Sequence, residues 1–165
     1  MLNLKQILED HLLWFSSNKT KGKQADLSNQ DLSGTNLAYA NLANANLIYA
    51  NLTGANLIGA NLTYTNLYYA NLANASLYNA ILYNASLYNA NLKDASLYNA
   101  SLENANLVNA NLTNANLENI KGLKVFKCFY VENNEKKFNY FLHSVEAKKE
   151  MSKRLANRQC SWVEQ

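Results

Sequence analysis

The chain has 165 residues, only 16% of them charged, and a formal net charge of +3. That length suits one folded unit with attached caps. Pro is absent and Asn is heavily over-used, a bias outside ordinary globular composition that calls first for a search for internal repeats. No segment could span a membrane, and MLNLKQILED has neither the apolar stretch nor the cleavage site of a secretory leader, so a cytoplasmic address is expected.

Residues 1–24 form the first region. LNLKQILEDHLLWFSSN places Leu4, Ile7, Leu8, His11, Leu12 and Phe15 within one helical arc, with Lys5, Glu9 and Asp10 outside it. The spacing predicts an amphipathic helix that covers the end of the next region, joined to it by the basic linker KTKGK. His11 reads as a packed cap residue rather than a ligand.

Residues 25–119 form the second region. Leu stands at every fifth position from Leu27 to Leu117, nineteen repeats without a miss. Ala stands two residues before each Leu except at Gln30, Thr35 and Thr65, and the residue just before Leu is polar except at Ile81. A period of five fits neither the 3.6 of a helix nor the 2 of a strand. It fits a square coil in which each repeat is one side, two residues point inward, three point outward, and the corner follows the Leu. Leu27, Leu47, Leu67, Leu87 and Leu107 then stack as one core column. Four sides per turn give about 4.75 turns and, at the spacing of paired strands, a tower about 23 Å tall.

A type II corner needs positive φ at its third residue, which suits Gly34, Gly54, Gly59 and the Asn run from Asn74 onward. Tyr39, Tyr49, Tyr64 and Tyr69 occupy the same slot, where a bulky side chain resists positive φ, so a different turn is expected at those corners.

The words ANLAN, ADLSN, ASLYN and ANLVN follow the pattern A(N/D/S)LXX and resemble the pentapeptide-repeat family throughout residues 25–119. The resemblance implies an all-β solenoid, the right-handed quadrilateral β-helix. It brings several possible roles: some members protect DNA gyrase from quinolones by mimicking duplex DNA, others take part in developmental signalling, and many have no assigned activity. Fold alone does not choose among these.

Folding the sequence at four repeats per turn makes the walls unequal. One carries Ile48, Tyr68, Tyr88 and Val108 in a line, with Tyr49 and Tyr69 on the neighbouring corner; the opposite wall carries Ile58, Tyr78 and Tyr98. The other two hold mostly Thr, Ala, Asn and a few charges, with Tyr64 and Tyr83 as exceptions. Such lines either stack coil on coil and shield the backbone, or bind a protein or a second copy of the chain. The coil carries Asp26, Asp31, Asp94, Glu103 and Glu118 against Lys93 alone, net −4, while the leading segment is +2 and the tail +5. Five scattered acids are thin for a copy of duplex phosphates.

Residues 120–165 form the third region. VFKCFYV and KKFNYFL flank ENNE and read as a hairpin, and SVEAKKEMSKRLANRQ reads as a helix lining Ala147, Met151, Leu155 and Trp162 on one side. Its cations Lys148, Lys149, Lys153, Arg154 and Arg158 come with no nucleic-acid-binding motif and read as a solvated face. Cys128, His143 and Cys160 lack metal-site spacing, and no phosphate loop or carboxylate pair occurs, so neither catalysis, metal nor cofactor is expected. The expected role is a non-catalytic interaction scaffold with a protein partner, monomeric or homodimeric, binding neither nucleic acid nor membrane. A topoisomerase-protecting DNA mimic is the alternative.

Overall fold

The computed structural model describes residues 3–122 and, beyond them, the backbone of 125–132, 135–142 and 162–164. Parallel β-bridges join the residues just before each Leu one coil apart: Asp26 to Asn46, Asn46 to Asn66, Asn66 to Ser86 and Ser86 to Asn106 along one column. Three further columns start at Asp31, Asn36 and Asn41, and the last ends at Lys121. Every step is twenty residues, so four five-residue sides close each coil into a quadrilateral β-helix whose strands are single bridged pairs.

A single repeat shows why these five residue types recur. The Asn46 amide donates to the Ala25 carbonyl in the coil below at 2.9 Å, and Leu47 to Asn66 in the coil above at 2.8 Å. Tyr49 donates to Tyr68 above at 3.0 Å, and Ala50 closes the corner on Leu47 at 3.0 Å. The fifth amide, on Ile48, is taken by the Asn46 side-chain Oδ1 at 3.2 Å. No amide of the repeat is left without an acceptor, as a packed backbone requires. Asn and Asp supply that last acceptor because their short side chains reach the N–H two residues on. The same bond recurs at the repeats that carry Asn or Asp before the Leu, from Asp26 with Ser28 to Asn116 with Glu118.

All nineteen corner residues from Asn29 to Asn119 have positive φ, and this corrects the expectation for the four Tyr corners. Tyr39, Tyr49, Tyr64 and Tyr69 stand at φ +59°, +57°, +56° and +57°, like their Asn counterparts. A left-handed L-residue costs about 1–2 kcal/mol. Bonds to the coil above and across the turn over-determine the corner, so Tyr accepts a conformation that it would not choose alone.

Leu and Ala columns form the core. Leu27, Leu47, Leu67 and Leu87 are fully buried, while Leu107 at 4% and Leu112 at 8% mark a slight loosening toward the last coil. Thr65 stands at an Ala position yet is buried, and its hydroxyl is satisfied by the Leu42 carbonyl at 2.7 Å.

Helix α1 spans Leu4–Ser16, and Asn3 caps it by accepting the Gln6 amide at 3.2 Å. Its buried arc is narrower than its sequence pattern. Leu4, Ile7 and Leu8 pack on the coil core and His11 is fully buried, but Leu12 and Phe15 remain 55% and 42% exposed. The connection back to the coil crosses α1 at Gly22, φ +70°, where a Cβ would collide with the Asp10 carbonyl.

Beyond the coil, β1 (Val125–Glu132) pairs antiparallel with β2 (Glu135–Leu142), from Val125 opposite Leu142 to Glu132 opposite Glu135. A third strand, β3 (Trp162–Glu164), lies antiparallel on the other side of β1, giving the order β2-β1-β3. Trp162 therefore stands on a strand and not on the expected helical face. The rest of that helix lies outside the described residues.

Candidate interaction walls

Twenty-residue coils place Ile48, Tyr68, Tyr88 and Val108 one above another, with Tyr49 and Tyr69 on the adjoining corner. The four rings make one cluster. Tyr68 and Tyr88 are stacked with centroids 5.2 Å apart and planes within 6°, and Tyr49 and Tyr69 are stacked at 5.2 Å and 22°. Edge contacts tie the two columns together, Tyr68 to Tyr69 at 4.5 Å and Tyr49 to Tyr68 at 6.2 Å. Burial, then the neighbouring phenols led by Tyr69, push the Tyr68 hydroxyl above its ordinary range, so it stays neutral. From Ala45 through Asn109 this wall and its corner carry no charged side chain.

Stacking decides what such a wall can offer. Rings separated by nearly the rise of one coil spend their faces on each other, leaving edges, hydroxyls and aliphatic flanks to the outside. Tyr49 at 54%, Tyr69 at 44% and Val108 at 51% are its open members, whereas Ile48, Tyr68 and Tyr88 are half-buried. A ligand that needs an open ring face finds few here. A protein surface, which meets edges, methyls and hydroxyls together, is the better geometric match.

On the opposite wall Tyr78 and Tyr98 stack at 5.5 Å with planes within 1°, the Tyr98 hydroxyl accepts from Asn119 at 3.0 Å, and Ile58 continues the line. Tyr39 lies over Gly59, where an added Cβ would sit 2.6 Å from the ring. A third contact went unread in the sequence: Tyr64 and Tyr83 meet edge to face at 5.9 Å on the wall of Thr63 and Glu103. Counting the corner position together with the wall position would have found it, because Tyr64 and Tyr83 are nineteen residues apart.

The remaining wall carries an amide ladder in place of rings. Asn51 donates to Asp31 at 2.9 Å, Asn71 to the Thr53 hydroxyl at 2.9 Å, Asn91 to Asn71 at 3.0 Å and Asn111 to Asn91 at 3.1 Å. Lys93 and Asp94 form an exposed ion pair at 3.7 Å beside it. The coil's five acids fall on all four walls, with Asp26 and Asp31 on adjacent sides, Asp94 on a corner, and Glu103 and Glu118 on the last two. They do not line up along the axis. Among the described residues no group of His, Cys, Asp and Glu could hold a metal ion, and no helix is long and apolar enough to cross a membrane.

The description "pentapeptide repeats" matches residues 25–63, 55–94 and 90–121, more than half of the chain. The chain belongs to the pentapeptide-repeat family. That membership gives the four-sided coil its hand, a right-handed quadrilateral β-helix. A pentapeptide-repeat protein of the Arabidopsis thaliana thylakoid lumen is 33% identical, with a TM-score of 0.55, over 56% of this chain and 65% of that one. Rfr23 of the cyanobacterium Cyanothece 51142 is 39% identical, with a TM-score of 0.50, over 62% of this chain and 63% of its own. The chain thus spans under two thirds of either relative's length. No curated protein matches it.

Proposed function

We propose that this pentapeptide-repeat protein is a non-catalytic scaffold, a rigid coil of about 4.75 turns in the cytoplasm, that holds a protein partner on the wall of Ile48, Tyr49, Tyr68, Tyr69, Tyr88 and Val108. The observation that carries this reading is the uncharged four-ring cluster, in which Tyr49 and Tyr69 stay open on a backbone fixed by coil-to-coil hydrogen bonds. Tyr is enriched at the centres of protein interfaces because it brings large contact area at low conformational cost. Pentapeptide-repeat proteins are generally non-catalytic, which agrees with the residues present. The wall of Ile58, Tyr78 and Tyr98 is a smaller second surface of the same kind. Mimicry of duplex DNA fits poorly, because it needs a dense axial line of negative charge and the acids are spread around the coil.

Affinity capture from the source cell tests the proposal with three baits verified as folded by circular dichroism. These are the wild type, Tyr68→Ser/Tyr88→Ser, and Thr53→Ser/Thr113→Ser on the amide wall. A protein held by the first and third but lost by the second is the expected result. Identical retention by all three makes the rings structural only. Sedimentation of the same baits shows whether the partner is a second copy, and a gyrase supercoiling assay with quinolone should find no protection.

A further inference from the structure

Ala25 begins the coil, and its amide has no turn to close. At later corners the Ala amide donates to the Leu carbonyl three residues earlier, as Ala45 does to Leu42 at 2.9 Å and Ala50 to Leu47 at 3.0 Å. Three residues before Ala25 stands Gly22, and the acceptor is instead the Nδ1 atom of His11, at 3.0 Å, reaching down from α1. The imidazole is fully buried and stacks on Trp14 at 5.5 Å and 18°. Because Nδ1 accepts, its proton sits on Nε2. That atom is buried and makes no hydrogen bond of ordinary geometry, and the Ala43 backbone is the polar group that favours a proton on the ring. His11 thus joins the capping helix to the first residue of the solenoid through an atom that must stay unprotonated.

We infer that His11 is a proton-operated latch: in its neutral form it closes α1 over the N-terminal end of the coil, and protonation at Nδ1 opens that cap while the coil stays folded. A proton taken from solvent at Nδ1 faces the Ala25 N–H, donor against donor. The bond is lost and an unpaired cation is left in an apolar site. Release uncovers the end of the core that Leu4, Ile7 and Leu8 now cover.

Among the described residues, the charged side chains of the packed segments are engaged elsewhere or carry the same sign as that cation. Lys5 and Glu9 pair with each other, Asp10 accepts from Gln6, and Lys19 lies over Trp14. Asp26 on the first coil is engaged with Ser28 and Asn46. Lys21 and Lys23 in the connection are exposed and of the same sign as the imidazolium. Burial, partly opposed by the Ala43 backbone, holds the imidazole below its ordinary range. The open state therefore binds the proton more readily than the closed one, and the cap is closed above about pH 6.5 and progressively opens as pH falls below it.

Amide exchange on the full chain between pH 7.5 and 5 tests the latch. With one linked proton, protection at Ala25 and in α1 falls about tenfold per pH unit below pH 6.5, until the closed-state His11 itself titrates. Mid-coil amides such as Leu72, bonded to Asn91, should keep their protection. His11→Asn, which offers an acceptor at the Nδ1 position but no titration, should show no pH slope. NMR titration in a His143→Gln background should place the His11 midpoint below 6.5. Flat protection in the wild type, an equal slope in His11→Asn, parallel loss at Leu72, or a midpoint at or above 6.5 each overturns the latch.

Discussion

The ring-bearing wall and the amide wall beside it are built on one backbone and one kind of core, and differ only in what they turn outward. Leu67 behind the rings and Leu72 behind the ladder are both fully buried. Ile48 and Thr53 find the same acceptor, the Asn two residues before each. The inward residues and the Asn therefore answer to the fold, and the two residues after each Leu are free to carry other information. Stacked Tyr fills that freedom on one side, polar side chains on the other.

The sharpest test of this equivalence acts on the core. Leu67→Ala and Leu72→Ala should each lose about 2–5 kcal/mol through a cavity that stacked coils cannot collapse. Denaturant midpoints should agree between the two variants within the scatter of one variant series. A clear gap would mean that the outward residues help to hold the core, and the separation of roles would fail.

Next in size comes the acceptor position, where the walls part. Asn71 takes the Ala73 amide at 3.2 Å and the Asn91 side chain at 3.0 Å, and donates to Thr53 at 2.9 Å. Asn71→Ala should cost about 1–3 kcal/mol, because it strands polar groups that water reaches only partly. Ser86, two residues before Tyr88 on the ring wall, makes no side-chain hydrogen bond among the described residues. Ser86→Ala should stay within about 0.5 kcal/mol. Equal losses in chemical denaturation would show that the Asn is kept for something other than its acceptor.

That contrast also marks where the sequence was readable. Leu and Ala at fixed spacing announced the square coil, because a solenoid repeats its core chemistry as strictly as its geometry. The purpose of the Asn was half visible. Side-chain ladders such as Asn91 on Asn71 follow from the repeat length, but the bond from Asn46 Oδ1 to the Ile48 amide needs the bend of the chain after the bridge. The Tyr corners misled, since steric preference at one residue was set against a hydrogen-bond ladder that fixes the whole corner. Leu12 and Phe15 misled in another way: helical periodicity shows a face, yet the end of a slender coil covers only part of it. The ring cluster was legible as lines of Tyr, while its consumed faces depend on ring tilt, which no spacing encodes.

Corner strain gives a smaller test. Tyr64 and Tyr69 share a φ near +57°, but Tyr64 touches one ring, Tyr83, whereas Tyr69 touches Tyr49, Tyr68 and Tyr88. Asn tolerates the left-handed region, so substitution relieves roughly 1 kcal/mol at either corner. Each lost ring contact removes about 0.5–1.5 kcal/mol. Tyr64→Asn, which gives up one contact, should therefore leave the melting temperature close to that of the wild type, and Tyr69→Asn, which gives up three, should lower it. An equal shift for both would remove the ring cluster as the reason Tyr is tolerated on its corner.

Smallest of all should be the acid response of the first coil, where the two walls begin with Asp instead of Asn. Asp26 is held below its usual range by the Ser28 hydroxyl and amide and then by Asn46, and Asp31 likewise by Ser33 and then Asn51. Each carboxylate binds its proton less readily in the folded chain than in the unfolded one. Its contribution is present above about pH 4, the ordinary carboxylate value, and is lost as pH falls through the lower folded value. Both side chains are exposed, so the loss is slight and is read as a drift of the denaturation midpoint between pH 5 and 2. Asp26→Asn and Asp31→Asn keep the acceptor oxygen that Asn41 already supplies to Ala43, and each should flatten its share of the drift. Because the two acids have matching partners on the ring wall and the amide wall, their shares should be equal. An unequal pair would mean that the field differs between walls whose backbones do not.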